Sequence, residues 1–272
     1  MQITMLSCED PLKPRAVDPH FAREAAAARD LGATVALLDH DALLRGDAER
    51  AVERVRRGVG ALWYRGWMIP SARYGELARA LEERGAELMV TPEAYRSAHE
   101  LPGWYEAFRE LTPVSVWGEG ATLGAGPAIV KDYVKSRKHE WAQACFIPDL
   151  ADAEATARVV ARFVELQGDY LAGGVVLREF EAFVGQEARV WWIDGEPRLV
   201  TPHPDDPTGE FPMPELAEVG AAVRRLGARF VTTDIARRED GAWRVVEVGD
   251  GQVSDLHRSI DPVRLVSLLP GA

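Results

Sequence analysis

Two acids, Asp234 and Glu247, flank an Asp240-Gly241 dipeptide in the segment Val231-Thr-Thr-Asp-Ile-Ala-Arg-Arg-Glu-Asp-Gly-Ala-Trp-Arg-Val-Val-Glu-Val-Gly-Asp250. Apolar alternation on both sides of Asp-Gly signals a β-hairpin. In a two-residue turn Glu239 pairs with Ala242, and pairs of equal residue-number sum place Asp234 opposite Glu247. A four-residue loop centred on the same dipeptide keeps that pairing; a three-residue loop breaks it. Facing carboxylates with Cβ atoms about 4.5–5.5 Å apart share one face of the ribbon. They repel by about 3–4 kcal/mol at an effective dielectric of about 20. Such a pair requires that one acid be protonated or that a cation lie between them. Asp250, just past the strand end, offers a third oxygen. Oxygen donors without His or Cys suit Mg²⁺ or Mn²⁺, completed by substrate phosphates and water. The competing reading is a solvated hairpin face with the acids beside Arg238.

A second signal is cationic. Lys131 interrupts the apolar run Ile129-Val-Lys-Asp-Tyr-Val, where an ammonium costs core burial unless it reaches an anion. Lys135-Ser-Arg-Lys138 follows as a basic turn, so a strand lysine and a basic loop together form a clamp for a triphosphate. Taken alone, Lys131 reads equally as an edge-strand residue beside a surface turn. Arg189, in Glu-Ala-Arg-Val-Trp-Trp, stands on an alternating strand within reach of a phosphate, a carboxylate or solvent.

The elements that must position these residues fall into two regions. In residues 1–112 short apolar runs at Ile3–Leu6, Thr34–Leu38, Ala61–Tyr64 and Glu87–Val90 alternate with helical patterns. The helices are expected over Asp18–Leu31, with Asp18 as N-cap and Gly32 as stop, Asp47–Arg57 closed by Gly58, and Ser71–Arg84 ending on Gly85. That alternation predicts βαβ units around a small parallel sheet. The glycine-rich run Trp117–Pro127 lacks the Gly-Lys-Ser/Thr ending of a phosphate loop and reads as a flexible connection. Within residues 113–272 the pattern predicts a mixed, largely antiparallel α+β region. It holds strands at Ala128–Val134 and Gly174–Phe180, a helix over Asp152–Gln167, hairpins around Asp194-Gly195 and Asp240-Gly241, and a helix over Pro214–Leu226. Thr201–Pro214 is a Pro-rich irregular stretch, placed as a lid or substrate loop.

Composition sets outer limits. A chain of 272 residues with 47% hydrophobic and 28% charged content buries a sizeable core. No apolar run approaches the roughly 18 residues of a membrane span, and the start, Met1-Gln-Ile-Thr-Met-Leu, lacks the pattern of a signal peptide. Two cysteines, Cys8 and Cys145, are too few for a disulfide framework, so a reduced cytoplasmic protein is expected. A net charge of −11 disfavours nucleic acid as a partner.

In order along the chain, a strand lysine, a basic loop, a helix, a strand ending in Glu179-Phe180, the Glu187-x-Arg189 strand, an Asp234 strand and the Glu247-Val-Gly-Asp-Gly251 ending resemble the ATP-grasp superfamily, in its RimK-like and glutathione-synthetase-like branches. The resemblance covers about Pro113–Leu256, with residues 1–112 as the α/β domain that precedes the grasp in such proteins. It implies ATP and Mg²⁺ (or Mn²⁺) as cofactors. Lys131 and either Lys138 or Lys135 would contact phosphates. Leu177-Arg178-Glu179-Phe180 would form the hinge strand whose backbone holds adenine, and Glu187 would lie near the ribose. Arg189 would steady the transferred phosphate, while Asp234 and Glu247 would hold the metal. The family's usual Asn ligand is replaced by Gly249, a place that Asp250 would fill, and the glycine-rich phosphate loop is replaced by Ser136-Arg-Lys138.

The implied activity is ATP-dependent ligation of a carboxylate to an amine through an acyl-phosphate, on a small-molecule or peptide substrate. Arg65 and Trp67, in Tyr64-Arg-Gly-Trp67, are the candidates to meet the substrate carboxylate, and the alternative for them is an interface cluster. His99 and His203 are further candidate contacts, with structural hydrogen bonding as the alternative. Two other activities share the pattern: a kinase of the same fold, and a nucleotide-binding module without turnover.

Overall fold

A computed structural model describes residues 4–269. Ile3, expected in the first strand, lies outside the described residues. The first sheet comprises Thr4–Asp10 (β1), Lys13–Val17 (β2), Thr34–Leu38 (β3), Gly60–Arg65 (β4) and Ala86–Leu88 (β5). β3 and β4 run parallel to β1 on its two sides, β5 runs parallel to β4, and β2 folds back antiparallel on the end of β1. The connecting helices are Ala22–Asp30, His40–Leu44, Ala48–Ala51 and Ser71–Glu82. Asp18 is not the cap of the first helix. Its Oδ1 accepts from the His20 amide and its Oδ2 from the Trp67 indole, so the helix starts later, at Ala22. The helix expected over Asp47–Arg57 shrinks to one turn capped by Asp47.

The second sheet is wholly antiparallel, in the order β6-β9-β7-β8, from Ser115–Trp117 (β6), Ala128–Lys131 (β7), Phe146–Ile147 (β8) and Val176–Glu179 (β9). The helix Ala153–Gln167, capped by Asp152 at the Ala155 amide, lays Val159 and Phe163 against Val130 and Ile147. The third sheet follows the order β11-β10-β12-β13: Phe183–Ile193 (β10), Glu196–Pro202 (β11), Phe230–Arg238 (β12) and Trp243–Asp250 (β13). Asp194 and Gly195 both take positive φ, 50° and 81°, as the expected two-residue turn requires.

Period-two alternation on β10 divides the third sheet between two cores. Val190 and Trp192 pack with the helices Pro92–His99, Leu101–Phe108 and Ala217–Leu226. Trp191 and Ile193 join Phe230 in the core of the first sheet. Arg189 shares the face of Trp191 but lies beyond that packing, so the side of the sheet that holds the first core also opens into a cleft.

Arg65 closes the junction. It is 1% exposed. Its guanidinium pairs with Glu24 through Nε–Oε2 and Nη2–Oε1 at 2.7 Å each, donates to the carbonyls of Gly251 and Ser254, and lies over the Trp191 ring at 5.5 Å. Gly251 has no room for a side chain, since a Cβ would meet the Phe230 ring at 2.4 Å. Next to it, the buried Asp250 accepts through Oδ1 from the amide and side chain of Gln252, which also bonds Tyr74, while Oδ2 has no partner. Burial pushes the Asp250 carboxyl up to about 7.

Arg65→Ala strands a buried carboxylate and two carbonyls, and we expect a loss of about 3–5 kcal/mol in urea unfolding. Arg65→Met combined with Glu24→Met should recover part of it. Asp250, protonated in the folded chain below about pH 7 and in the unfolded chain only below its ordinary value of 3.8, costs stability as pH rises through that window. Asp250→Asn should therefore gain on the order of 2–4 kcal/mol relative to the parent between pH 4 and pH 8. Parallel pH slopes for the two proteins would contradict the assignment.

Candidate active site

The final hairpin brings Asp234 opposite Glu247, as expected, but by a different route. The Arg238 amide bonds the Ala242 carbonyl and the Gly241 amide bonds the Arg238 carbonyl, so the loop is Glu239-Asp240-Gly241, with Gly241 at φ 90°. A three-residue loop of this kind shifts the register by one, pairing Ile235 with Val245. A bulge then inserts Val246 between that pair and the next, which returns Asp234 to Glu247.

Neither a shared proton nor a single bridging cation resolves the repulsion between them. Each acid has its own basic partner, from a different strand. Arg189, paired with Asp234 in the β10–β12 register, binds it bidentately with Nε–Oδ1 and Nη2–Oδ2 both at 2.8 Å, and its Nη1 donates to the Asp255 carbonyl. Lys131 reaches across from the second sheet to Glu247 at 2.8 and 3.1 Å, with its side chain 2% exposed. That contact is the anion a lysine in an apolar strand needs. Next to it, the buried Asp132 shapes the basic turn by accepting from the amides of Val134 and Lys135 through Oδ1 and from Gln167 through Oδ2.

A cleft of ≈ 220 Å³ opens over these groups, lined among others by Lys138, Arg189, His203, Asp205, Asp234 and Glu247. Lys138 is paired with Asp205, and that ammonium holds Asp205 below the usual carboxylate range. Glu187, His203 and Asp234 offer ligand atoms within 4.8 Å of one another. His203 Nδ1, however, accepts from the Asp205 amide at 3.2 Å, which leaves the proton on Nε2, 3.6 Å from Asp234 Oδ2. The imidazole is thus a donor to the acid rather than a metal ligand. Burial, followed by repulsion from Asp234, pushes the Glu187 carboxyl up to about 7, and burial lowers the His203 imidazole.

Gly249 stands where the resemblance called for an Asn ligand. A Cβ there would lie 3.0 Å from Thr232 Oγ1 and 3.2 Å from Ser254 Oγ. Those hydroxyls, bonded to each other at 2.7 Å, take up the space and line the cleft. Asp250 does not replace the Asn, because it pairs with Val231 on the alternate face and is held by Gln252. The Asp234 and Glu247 carboxylates, on one face beside these hydroxyls, form an oxygen donor set that fits a hard divalent cation.

Other expected site residues are placed as follows. Arg65 is tied to Glu24 and to backbone carbonyls, so it is a junction residue and has no free fork for a substrate carboxylate. Trp67 is partly exposed but lies outside the cleft lining, against His20. Arg178 is buried and bonds Thr112 Oγ1 and the Val245 carbonyl, a structural tie between the two antiparallel sheets. The amides of Glu179 and Phe180 already donate to the carbonyls of Val114 and Pro127, at 2.8 and 3.0 Å, so neither is free for adenine. Lys135 is exposed and Lys138 lines the cleft, which distinguishes the two. Glu187 lies with His203 and Asp234. His99 and His203 both line the cleft. Asp205 joins them without warning from the sequence, because nothing local marks it as the partner of Lys138. Among the described residues no helix is long and apolar enough to cross a membrane.

Solved structures share this arrangement. A RimK domain ATP-grasp protein from Sphaerobacter thermophilus DSM 20745 superposes with a TM-score of 0.62 at 15% identity, over 99% of this chain and 100% of that one. The D-cycloserine synthetase DcsG gives 0.60 at 18% identity, over 98% of each chain. The ATP-grasp ligase PsnB, complexed with minimal precursor, Mg and ADP, gives 0.56 at 15% identity, over 98% of this chain and 96% of that one. At such identities they show the fold. A search of the curated proteins finds no match. Residues 122–269, more than half of the chain, match the family model of an ATP-grasp domain, clade family 3, and the chain belongs to that ATP-grasp family.

Proposed function

We propose that the chain is an ATP-dependent carboxylate–amine ligase, forming an amide or peptide bond through an acyl-phosphate and releasing ADP and phosphate. The observation that carries this reading is the pairing of Asp234 with Glu247 under Arg189 and Lys131, at a cleft between two antiparallel sheets. Acids and bases that neutralise each other without a nucleotide are poised to exchange partners when one arrives. The precursor and precursor peptides in the names of the PsnB and MdnC complexes support a peptide as one substrate class, and the D-alanine–D-alanine ligase and DcsG support a small molecule.

Asp234 and Glu247 would hold Mg²⁺ or Mn²⁺, which when bound supplies positive charge to the β- and γ-phosphates. Lys131 moves from Glu247 to a phosphate oxygen, and Lys138 leaves Asp205 to do the same. The substrate carboxylate attacks the γ-phosphorus and ADP departs. The amine then adds to the acyl carbon and phosphate leaves, with Arg189 donating to the oxygen that gains charge. Adenine would contact the residues after Phe180, where the chain crosses from β9 to β10, since the amides of Glu179 and Phe180 are engaged. The Phe180 ring, with Phe146 and Trp141, supplies an apolar wall there.

The test is ADP release from ATP and Mg²⁺ with pooled carboxylic acids and amines. Glu247→Gln should lower it by about 100-fold or more, and an unchanged rate would remove this acid from the site. Free phosphate should appear in step with ADP; phosphate retained on the product would mark a kinase, and ATP binding without turnover in any pool a silent module. Asp205→Asn frees Lys138 from an exposed ion pair worth at most about 1 kcal/mol, so KM for ATP should fall by up to about fivefold. A higher KM would show that Asp205 assists nucleotide binding instead.

A further inference from the structure

The largest cavity described, ≈ 460 Å³, lies away from the ATP cleft, at the carboxyl ends of β1 and β3. Parallel sheets bind ligands at that edge because strand ends and loops leave a crevice there. Its lining carries Glu9, Asp18, Asp39 and Asp41 against Arg45, Arg50 and Arg54, with Trp67 and Leu44 as apolar surfaces. Most of these charges are engaged. Arg54 pairs with Glu9, Arg50 approaches Asp39 at 3.7 Å, and Asp18 accepts from the Trp67 indole. Arg45 and Asp41 have no side-chain partner among the described residues, which leaves one guanidinium and one carboxylate facing the cavity. A ligand with a single charge would satisfy one and repel the other; a zwitterion satisfies both.

The cavity is also linked to the ATP cleft. Trp67 lines the first and Met68 the second, so the two spaces flank consecutive residues of one loop, held by His40 Nε2 at the Met68 carbonyl. The Trp67 ring lies against His20 at 4.5 Å between centroids, His20 Nε2 is 2.7 Å from Asp255 Oδ1, and the Asp255 carbonyl accepts from Arg189. An occupant touching Trp67 thus sits two side chains away from the group that holds Asp234.

We infer that this cavity is a distal subsite for a zwitterionic peptide, whose chain passes over Trp67 and Met68 into the ATP cleft. The inference rests on the ligase reading for what happens at the far end, and it names the substrate as a peptide rather than a single small acid. A volume of this size accommodates a di- or tripeptide.

Saturation-transfer NMR on the full chain, without nucleotide, tests it with Ala-Ala and Ala-Ala-Ala as probes, alongside their N-acetylated, C-amidated forms. The zwitterionic peptides should receive saturation and the capped forms should bind about tenfold more weakly or not at all. Arg45→Glu with Arg50→Glu should weaken binding by about tenfold or more, while Arg29→Glu, on an exposed helix face, should leave it unchanged; circular dichroism checks that each variant is folded. Equal binding of capped and free peptides, no binding of either, or binding that survives the double charge reversal would overturn the subsite. Because no nucleotide is present, peptide binding without ADP formation in any pool would keep the subsite and overturn the ligase reading. ADP formation without peptide binding would do the reverse.

Discussion

The arrangement depends on how two carboxylates are kept facing each other across one β-ribbon. Like charges in register destabilise a hairpin, and here the cost is met by cations from outside it. Arg189 comes from the neighbouring strand of the same sheet, so the Arg189–Asp234 contact is local to β10 and β12. Lys131 comes from the other antiparallel sheet, so the Lys131–Glu247 contact is also a bond between two structural units. The electrostatics of the site and the relative placement of the sheets are therefore a single constraint. A substitution at either acid removes a binding group and also leaves a buried cation unpaired, the costlier half of such a loss.

The same face of the third sheet serves packing and chemistry in sequence along each strand. On β12, Phe230 is in the core of the first sheet, Thr232 bonds Ser254 at the margin, and Asp234 is over the cleft. On β10, Ile193, Trp191 and Arg189 make the same progression. Alternation puts those residues on one side, and the first sheet covers only part of it. The site begins where the apolar cover ends, which holds Asp234 and Arg189 in place by packing two residues away.

Much of this is legible locally. Lys131 is readable because an ammonium in an apolar strand demands an anion, and both hairpins are readable from Asp-Gly. The register of the acids comes out right because two departures cancel: a loop one residue longer than assumed and a bulge at Val246. Sequence marks neither, since a bulge is decided by what the flanking strands pack against. Arg65 is misread because its partners, Glu24 and the carbonyls of Gly251 and Ser254, are distant along the chain, and no local pattern shows them. Asp250 is misread because proximity in number to Glu247 hides a change of face. The helix Pro92–His99 escapes the sequence reading despite a visible signal, Thr91 capping ahead of Pro92, whereas β6 and β8 are too short for periodicity to register.

The first sheet does not close its core from its own segment. Leu265, Val266 and Leu269 are buried in it, and Arg23, on the helix Ala22–Asp30, donates to the carbonyls of Arg258 and Ile260. During synthesis the chain emerges from its amino end, so the sheet made first lacks these apolar side chains until the last-described residues leave the ribosome. Its exposed underside must meanwhile be shielded by transient contacts or by a chaperone. The protein therefore cannot be assembled strictly in the order in which it is translated.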